Sequence, residues 1–558
     1  MKMNSAGSER EKLLAAGIAA LLLLIGTRAV FADGDAADEA MAVIRPQAIQ
    51  AQMRFLADDL LEGRGTGTRG HEIAAKFIAS EFEALGLEPA GENGTYFQNV
   101  PLRSIRPDEN QTTLTLEFAG KSEVLVFRRD FITSGDAGRT ETSVEASVVY
   151  VGFGVTAPEM GYDDYREVGM KGKIAAYQFG APPQFEATVR AHYSSGDVKS
   201  ANAAAHGAVG VIFLDSPALE GLYSFNEQAQ DLVFPHLRWL DSRGRPNDFL
   251  PELLGSVFLS MDGVKKLFEG SGKSTEEVYA AAQAGKPVSL ALHVTAKLNL
   301  VTRHEQMRSP NVVARLQGSD PKLRDEFVVY TAHSDHLGIG EPVNGDKIYN
   351  GALDNASGTA CLLGIAKAFS KMNARPRRSI LFVSVTGEEE GLLGSDYFAR
   401  YPTVPKDALV GNINMDGAGL LWPIEDVVAS GAEHSNLSAA VQKAAERMKL
   451  VVTPDPYPEQ VFFIRSDQYS FVKQGIPAVW PRTGLKSSDP KTRPDEIRKK
   501  WVQTIYHKPQ DDMNQPFDFE SAAKFARFVF LVGYIVAQNT ERPAWNSADF
   551  FGEHYGKK

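Results

Sequence analysis

From about residue 311 onward, short apolar runs alternate with helical stretches, and this alternation leaves few folds open. FVVYTAH at 327–333 and RSILFVSVT at 378–386 are almost continuously apolar, as expected for strands covered on both faces. SGTACLLGIAKAFSKM at 357–372 reads as a helix between them, and GLLGSDYFARY at 391–401 starts another. ALVGNINMD at 408–416 is a third strand and GIPAVWP at 475–481 a fourth. This order predicts an α/β fold with a mostly parallel central sheet flanked by helices. Such sheets bind ligands beyond the carboxyl ends of their strands. FARFVFLVGYIVA at 525–537 contains Arg527 and is expected as a buried C-terminal helix.

Ahead of this region the texture differs. QAQMRFLADDLLEG and HEIAAKFIASEFEALG carry apolar residues at helical spacing around a glycine-rich connector, GRGTGTRG at 63–70. The connector lacks GxxxxGK[ST], and no strand pattern precedes it, so it is not a phosphate loop. From about 110 to 300 short strands and turns dominate, which predicts a β-rich second domain. Lys2, Arg10 and Lys12 precede an uncharged run at 13–26, LLAAGIAALLLLIG. As a helix that run rises about 21 Å, short of a bilayer core of about 30 Å. With Val30-Phe31-Ala32 after it, residues 1–32 read as a signal peptide. The expectation is export to a bacterial periplasm or the medium, without stable membrane insertion after cleavage.

Acidic residues number 70 against 59 basic ones, a net charge of −11, which disfavours nucleic acid as a partner. The single cysteine, Cys361, excludes an intrachain disulfide and thiolate-rich metal sites, and its apolar helix makes it a core residue. Neither a GxSxG elbow nor an HExxH motif is present.

The polar residues gather where the α/β rule places a site. The first strand ends in His333-Ser334-Asp335, and Asp354 lies in the following loop. The second strand runs into Glu388-Glu389-Glu390, the third ends at Asp416, and His507 precedes the last helix. One metal seldom needs so many ligands. Two metals about 3.5–4 Å apart need a bridging carboxylate and terminal ligands for each. Asp354, short and central, is the natural bridge; His333 and Asp416 complete one metal, Glu389 and His507 the other. Zinc, cobalt and manganese all suit such a set, with zinc the commonest. Neighbouring side chains at a strand end diverge, so Glu388 faces the bound water as general base. Asp335 is expected to fold back onto the free ring nitrogen of His333. His336 reads as a loop residue without a ligand role.

Six blocks carry a resemblance: TAHSDHLG, NGALDNASGTA, TGEEEGLLGS, NMDGAG, RSDQYSFVKQGIPAV and YHKPQDD. Together they resemble peptidase family M28, the co-catalytic zinc peptidases and chiefly their aminopeptidases, over most of 311–540. The resemblance implies two zinc ions per chain, with His333, Asp354, Glu389, Asp416 and His507 as ligands. It also implies Glu388 as base, Asp335 as support, and peptides with a free N-terminus as substrates. GFGVTAPEMGYDDYREVGMKGKIAAYQFG and ANAAAHGAVGVIFL resemble a protease-associated (PA) domain inserted in such enzymes. The implied layout is a discontinuous peptidase domain, 45–120 and 300–545, with the insert at 121–299. Many relatives have histidine where this chain has Gln468, a difference expected to alter the pocket wall. Arg465 and Tyr469 are candidate contacts to substrate or oxyanion. A carboxypeptidase, a glutaminyl cyclase and a non-catalytic binding protein are the alternatives on the same frame.

Overall fold

The computed structural model describes residues 36–118 and 120–556; the expected signal peptide lies outside them. Two helices, α1 (Pro46–Leu56) and α2 (Arg69–Ala84), open the fold. The main sheet is built from β1 (Phe97–Pro107), β2 (Ser289–Leu316), β3 (Phe327–His333), β4 (Ser379–Val385), β5 (Leu409–Asn414), β6 (Asp426–Ser430) and β7 (Ala478–Thr483). The helices α3 (Gly358–Ser370), α4 (Leu393–Arg400) and α5 (Phe519–Gln538) complete the frame.

β3 lies parallel between β4 and β5, and β7 runs parallel beyond β5. Antiparallel strands extend both sides: β2 and then β1 beyond β4, and β6 beyond β7. Every residue of β3, β4 and β5 is buried, as their unbroken apolar runs require. Tyr330 of β3 stacks on Phe382 of β4, and Phe369 of α3 packs on Phe530 of α5 with ring centroids 4.6 Å apart. Burying side chains of this size contributes about 1.5–3 kcal/mol each. α5 is the buried C-terminal helix expected from the sequence. Its Arg527 stays inside the fold by donating to the carbonyls of Ile44 (2.7 Å) and Met41 (3.3 Å). Cys361 is fully buried in α3. No helix among the described residues is long and apolar enough to cross a membrane.

Register decides where the polar residues meet. His333 sits opposite Val385, and Thr331 opposite Asn414, so β3, β4 and β5 end at nearly one level. The residues that follow them, Ser334, Thr386 and Met415, therefore open onto a single edge.

A second sheet packs around its own core, with Leu116, Val148, Ile212 and Leu298 at its centre. The first half of β2 forms part of it, pairing with 141–151 and 113–117. Two details correct the expected layout. Residues 113–118 pair with 121–125 and with 295–299, so the second sheet begins well ahead of 121. His236–Trp239, within the expected insert, returns to pair with Leu102–Ile105 of β1 in the main sheet. An edge strand leaves unpaired backbone groups, and this return covers the edge of β1. The segment 121–299 is therefore joined to the main sheet by backbone pairing. β2 itself crosses the expected boundary unbroken, exchanging Glu141 opposite Val301 for Pro107 opposite Thr302.

Candidate metal centre

The end of β3 presents the His333 imidazole, fully buried. Its Nε2 lies 3.2 Å from Asp354 Oδ1, 3.5 Å from Asp416 Oδ1 and 3.9 Å from Glu388 Oε2. His507 approaches from the opposite side. Its Nε2 lies 3.4 Å from Asp354 Oδ2 and 3.1 Å from Glu389 Oε2. Asp354 thus faces one histidine with each carboxylate oxygen. Ligand atoms of His333, Asp354 and Glu389 fall within 4.8 Å of one another, as do those of His333, Glu388 and Asp416. All six residues named from the sequence for the centre meet at the one edge.

A pair of cations fits this donor set. The Nε2 atoms of His333 and His507 are buried and make no hydrogen bond. Buried polar atoms are rarely left without a partner, and an imidazole lone pair aimed at carboxylates is satisfied by a divalent ion between them. Four carboxylates packed together likewise need positive charge. Burial pushes the Glu388 carboxyl well up, and the charges of Asp416 and Glu389 push it further against the pull of His333. Burial also opposes ionisation of Glu389, but His507 and His336 overcome it and bring that carboxyl down to about 2. The two adjacent glutamates are driven apart, as two carboxylates with different tasks should be.

Surrounding residues hold these groups in place. The carbonyl oxygen of Asp335 lies 3.2 Å from His333 Nδ1, against 3.8 Å for its carboxylate Oδ1. Donation from Nδ1 to that carbonyl leaves Nε2 free to ligate. The expected carboxylate contact to the ring is therefore the longer one. The Asp335 carboxylate instead accepts the backbone N–H groups of Glu388 (3.3 Å) and Glu389 (3.4 Å). Asp511, four residues after His507, accepts the N–H groups of Leu353 (2.8 Å) and Asp354 (3.0 Å). Ser466 donates to Asp416 Oδ2 at 2.6 Å and accepts from Asn414 Nδ2 at 2.7 Å.

Three of these roles were not read from the sequence. His336 places Nδ1 2.5 Å from Glu389 Oε1, so it belongs to the centre and is no bystander. Its position three residues after His333 was the available signal. Asp511 and Ser466 stood in the quoted blocks without an assigned task.

Tyr469 does not reach the centre. It is buried, with its hydroxyl 2.7 Å from Nδ1 of His192, a residue of the β-rich segment. Gln468 is buried, donating to the Phe463 carbonyl at 2.7 Å and accepting from Asn414 Nδ2 at 3.4 Å. Arg465 is exposed, with its guanidinium 5.3 Å from the centroid of the Phe462 ring. Tyr506 stacks on His507 with ring centroids 3.8 Å apart, and burial pushes its hydroxyl well up.

Residues 311–532 match the model of peptidase family M28. Over those residues the mixed α/β fold matches the architecture of M28 peptidases. An aminopeptidase from Aneurinibacillus sp. strain AM-1 superposes with a TM-score of 0.52 at 20% identity, over 91% of this chain and 97% of that one. In sequence, aminopeptidase NAALADL1 of Rattus norvegicus is 35% identical over 126 residues, 22% of this chain and 15% of that protein. Leucine aminopeptidase 2 of Arthroderma otae is 27% identical over 200 residues, 35% of this chain and 37% of that protein. Aminopeptidase Y of Saccharomyces cerevisiae is 27% identical over 221 residues, 38% and 36% respectively. The chain therefore spans little more than a third, at most, of these relatives' length. The M28 region contains every residue of the candidate centre.

Proposed function

We propose that the chain is a two-zinc aminopeptidase that removes residues from the free N-terminus of peptides. The observation that carries this reading is Asp354, with one carboxylate oxygen toward His333 and the other toward His507. In this reading His333, Asp354 and Asp416 hold one ion, and Asp354, Glu389 and His507 the other. Bound there, two ions would lower the pKa of a water and polarise the scissile carbonyl. Glu388 takes the proton from that water and returns it to the leaving amine. Glu388 Oε2 stands 3.9 Å from His333 Nε2, beyond the carboxylate oxygens of Asp354 and Asp416. Names of relatives that are aminopeptidases support the reaction class.

The finer parts of the reading rest on the sequence. The β-rich segment is a PA-type insert by its resemblance at 152–180 and 201–214. Export follows from the apolar run at 13–26.

Arg465 favours a second reading. Among the described residues its guanidinium has only the Phe462 ring as partner; Arg498 and Arg482 lie over the same ring at 5.1 and 4.4 Å, and of the three only Arg482 is paired with a carboxylate, Asp455. Two such cations suit a substrate carboxylate, which a carboxypeptidase requires. Hydrolysis of a free peptide and its N-acetylated form separates the two. The aminopeptidase cleaves only the free form; cleavage of both at the C-terminal bond overturns it.

A further inference from the structure

The segment RGTGTRGH, residues 64–71, touches every residue of the turn that follows His333. Arg64 is fully buried, in a left-handed backbone conformation at φ +50°. Its guanidinium donates to Ser334 O (2.9 Å), Asn350 O (2.7 Å) and Gly351 O (2.9 Å), and also to the carbonyl of Leu56. Among the described residues no carboxylate pairs with it directly. Its own carbonyl accepts the His336 N–H at 3.1 Å. Thr66 donates to Asp335 Oδ2 at 3.1 Å, and His71 Nε2 lies 3.3 Å from Ser334 Oγ. Ser334, Asp335 and His336 are thus each held by this segment. Asn350 and Gly351 open the loop that carries Asp354, so the one guanidinium joins two ligand loops. A side chain at Gly63 would stand 2.5 Å from the carbonyl oxygens of Gly338 and Tyr349, which shows how closely the segment is seated.

We propose that Arg64, with Thr66 and His71 beside it, is a positioning element that sets His333 against Asp354 for the first metal ion. The inference rests on the two-ion reading above. The planar guanidinium reaches four carbonyls at once through donors in a fixed fork, which an ammonium cannot reproduce. None of the three side chains is placed against substrate. The effect therefore falls on metal affinity, chiefly at the ion shared by His333, Asp354 and Asp416; the other ion shares only Asp354.

Arg378 provides the control. It is equally buried and likewise caps carbonyls, donating to Val536 O at 3.1 Å and to Glu326 Oε2 at 2.7 Å. It lies beside Ser379, at the opposite end of the strands.

The test is titration of metal-free protein with zinc against a chromophoric chelator, for wild type, R64K, T66V, T66S and R378K, each checked for folding by circular dichroism. R64K is expected to lose about 10- to 100-fold in affinity for one ion, the usual effect of removing a group that orients a ligand. T66V shows a smaller loss, T66S recovers it, and R378K binds as wild type although it melts earlier. Saturating zinc restores turnover of R64K with KM unchanged. Wild-type affinity in folded R64K overturns the proposal; if R64K does not fold, wild-type affinity in T66V overturns it. Two ions bound without peptide hydrolysis overturns the peptidase reading alone, whereas a wild type that binds no ion overturns both.

Discussion

His336 and Glu389 stand with Nδ1 2.5 Å from Oε1, while the other oxygen of Glu389 faces His507 at 3.1 Å. The carboxylate is held at one end and offered at the other. Removing the holder frees the Glu389 side chain to rotate. H336A is therefore expected to weaken zinc binding by about 10- to 100-fold while the protein still folds. Direct zinc titration checks this; unchanged affinity returns His336 to a packing role.

Glu388 and Glu389 are separated in task by position alone. E388Q keeps the shape of the side chain and removes its ability to take a proton. Turnover is expected to fall by about 10²–10⁴-fold with two ions still bound. Near-normal turnover in a fully metallated E388Q protein would remove Glu388 as the base.

D354N leaves one good oxygen acceptor where two are needed. Both ions should be lost together, because in the proposed arrangement Asp354 faces both histidines and serves both ions. Elemental analysis after dialysis reads this directly, and retention of one firmly bound ion contradicts the bridging role.

Tyr469 joins the β-rich segment to the main domain through His192. Y469F removes one buried hydrogen bond and is expected to cost about 1 kcal/mol of stability. Its kcat should not change. A large fall in kcat without loss of stability would restore the substrate contact expected from the sequence.

His71 and His192 are both buried, and burial pushes each imidazole down to about 3. The folded protein keeps them neutral where the unfolded chain takes up protons, below about pH 6.5. The unfolded state then binds more protons, so stability falls as pH drops from about 6.5 toward 3. H192Q should flatten this decline, as measured by denaturant midpoints across that range. An equally steep decline in H192Q assigns the effect to other groups.

The four parallel strands were legible because strands buried on both faces leave unbroken apolar runs. The candidate ligands were legible as a cluster because chemistry in such sheets gathers at the strand ends. Other features carry no pattern of their own. His336 resembles any loop histidine until Glu389, 53 residues away, closes on it. Arg64 sits in what reads as a glycine connector, since its partners are backbone carbonyls some 270 and 286 residues distant. The pairings that cross the expected boundaries were hidden for a related reason. A hydrophobic pattern announces a strand but not its neighbour, so the return of His236–Trp239 to β1 left no mark in the sequence. Tyr469 was misplaced because the histidine that engages it lies 277 residues away.

β2 runs for 28 residues through both sheets without a break. Its far half lies against β4, whose end leads into Glu388. A hinge needs a flexible joint, and at this crossing the two lobes share one spine. The outer sheet and the strand that leads into Glu388 are therefore tied to one continuous backbone.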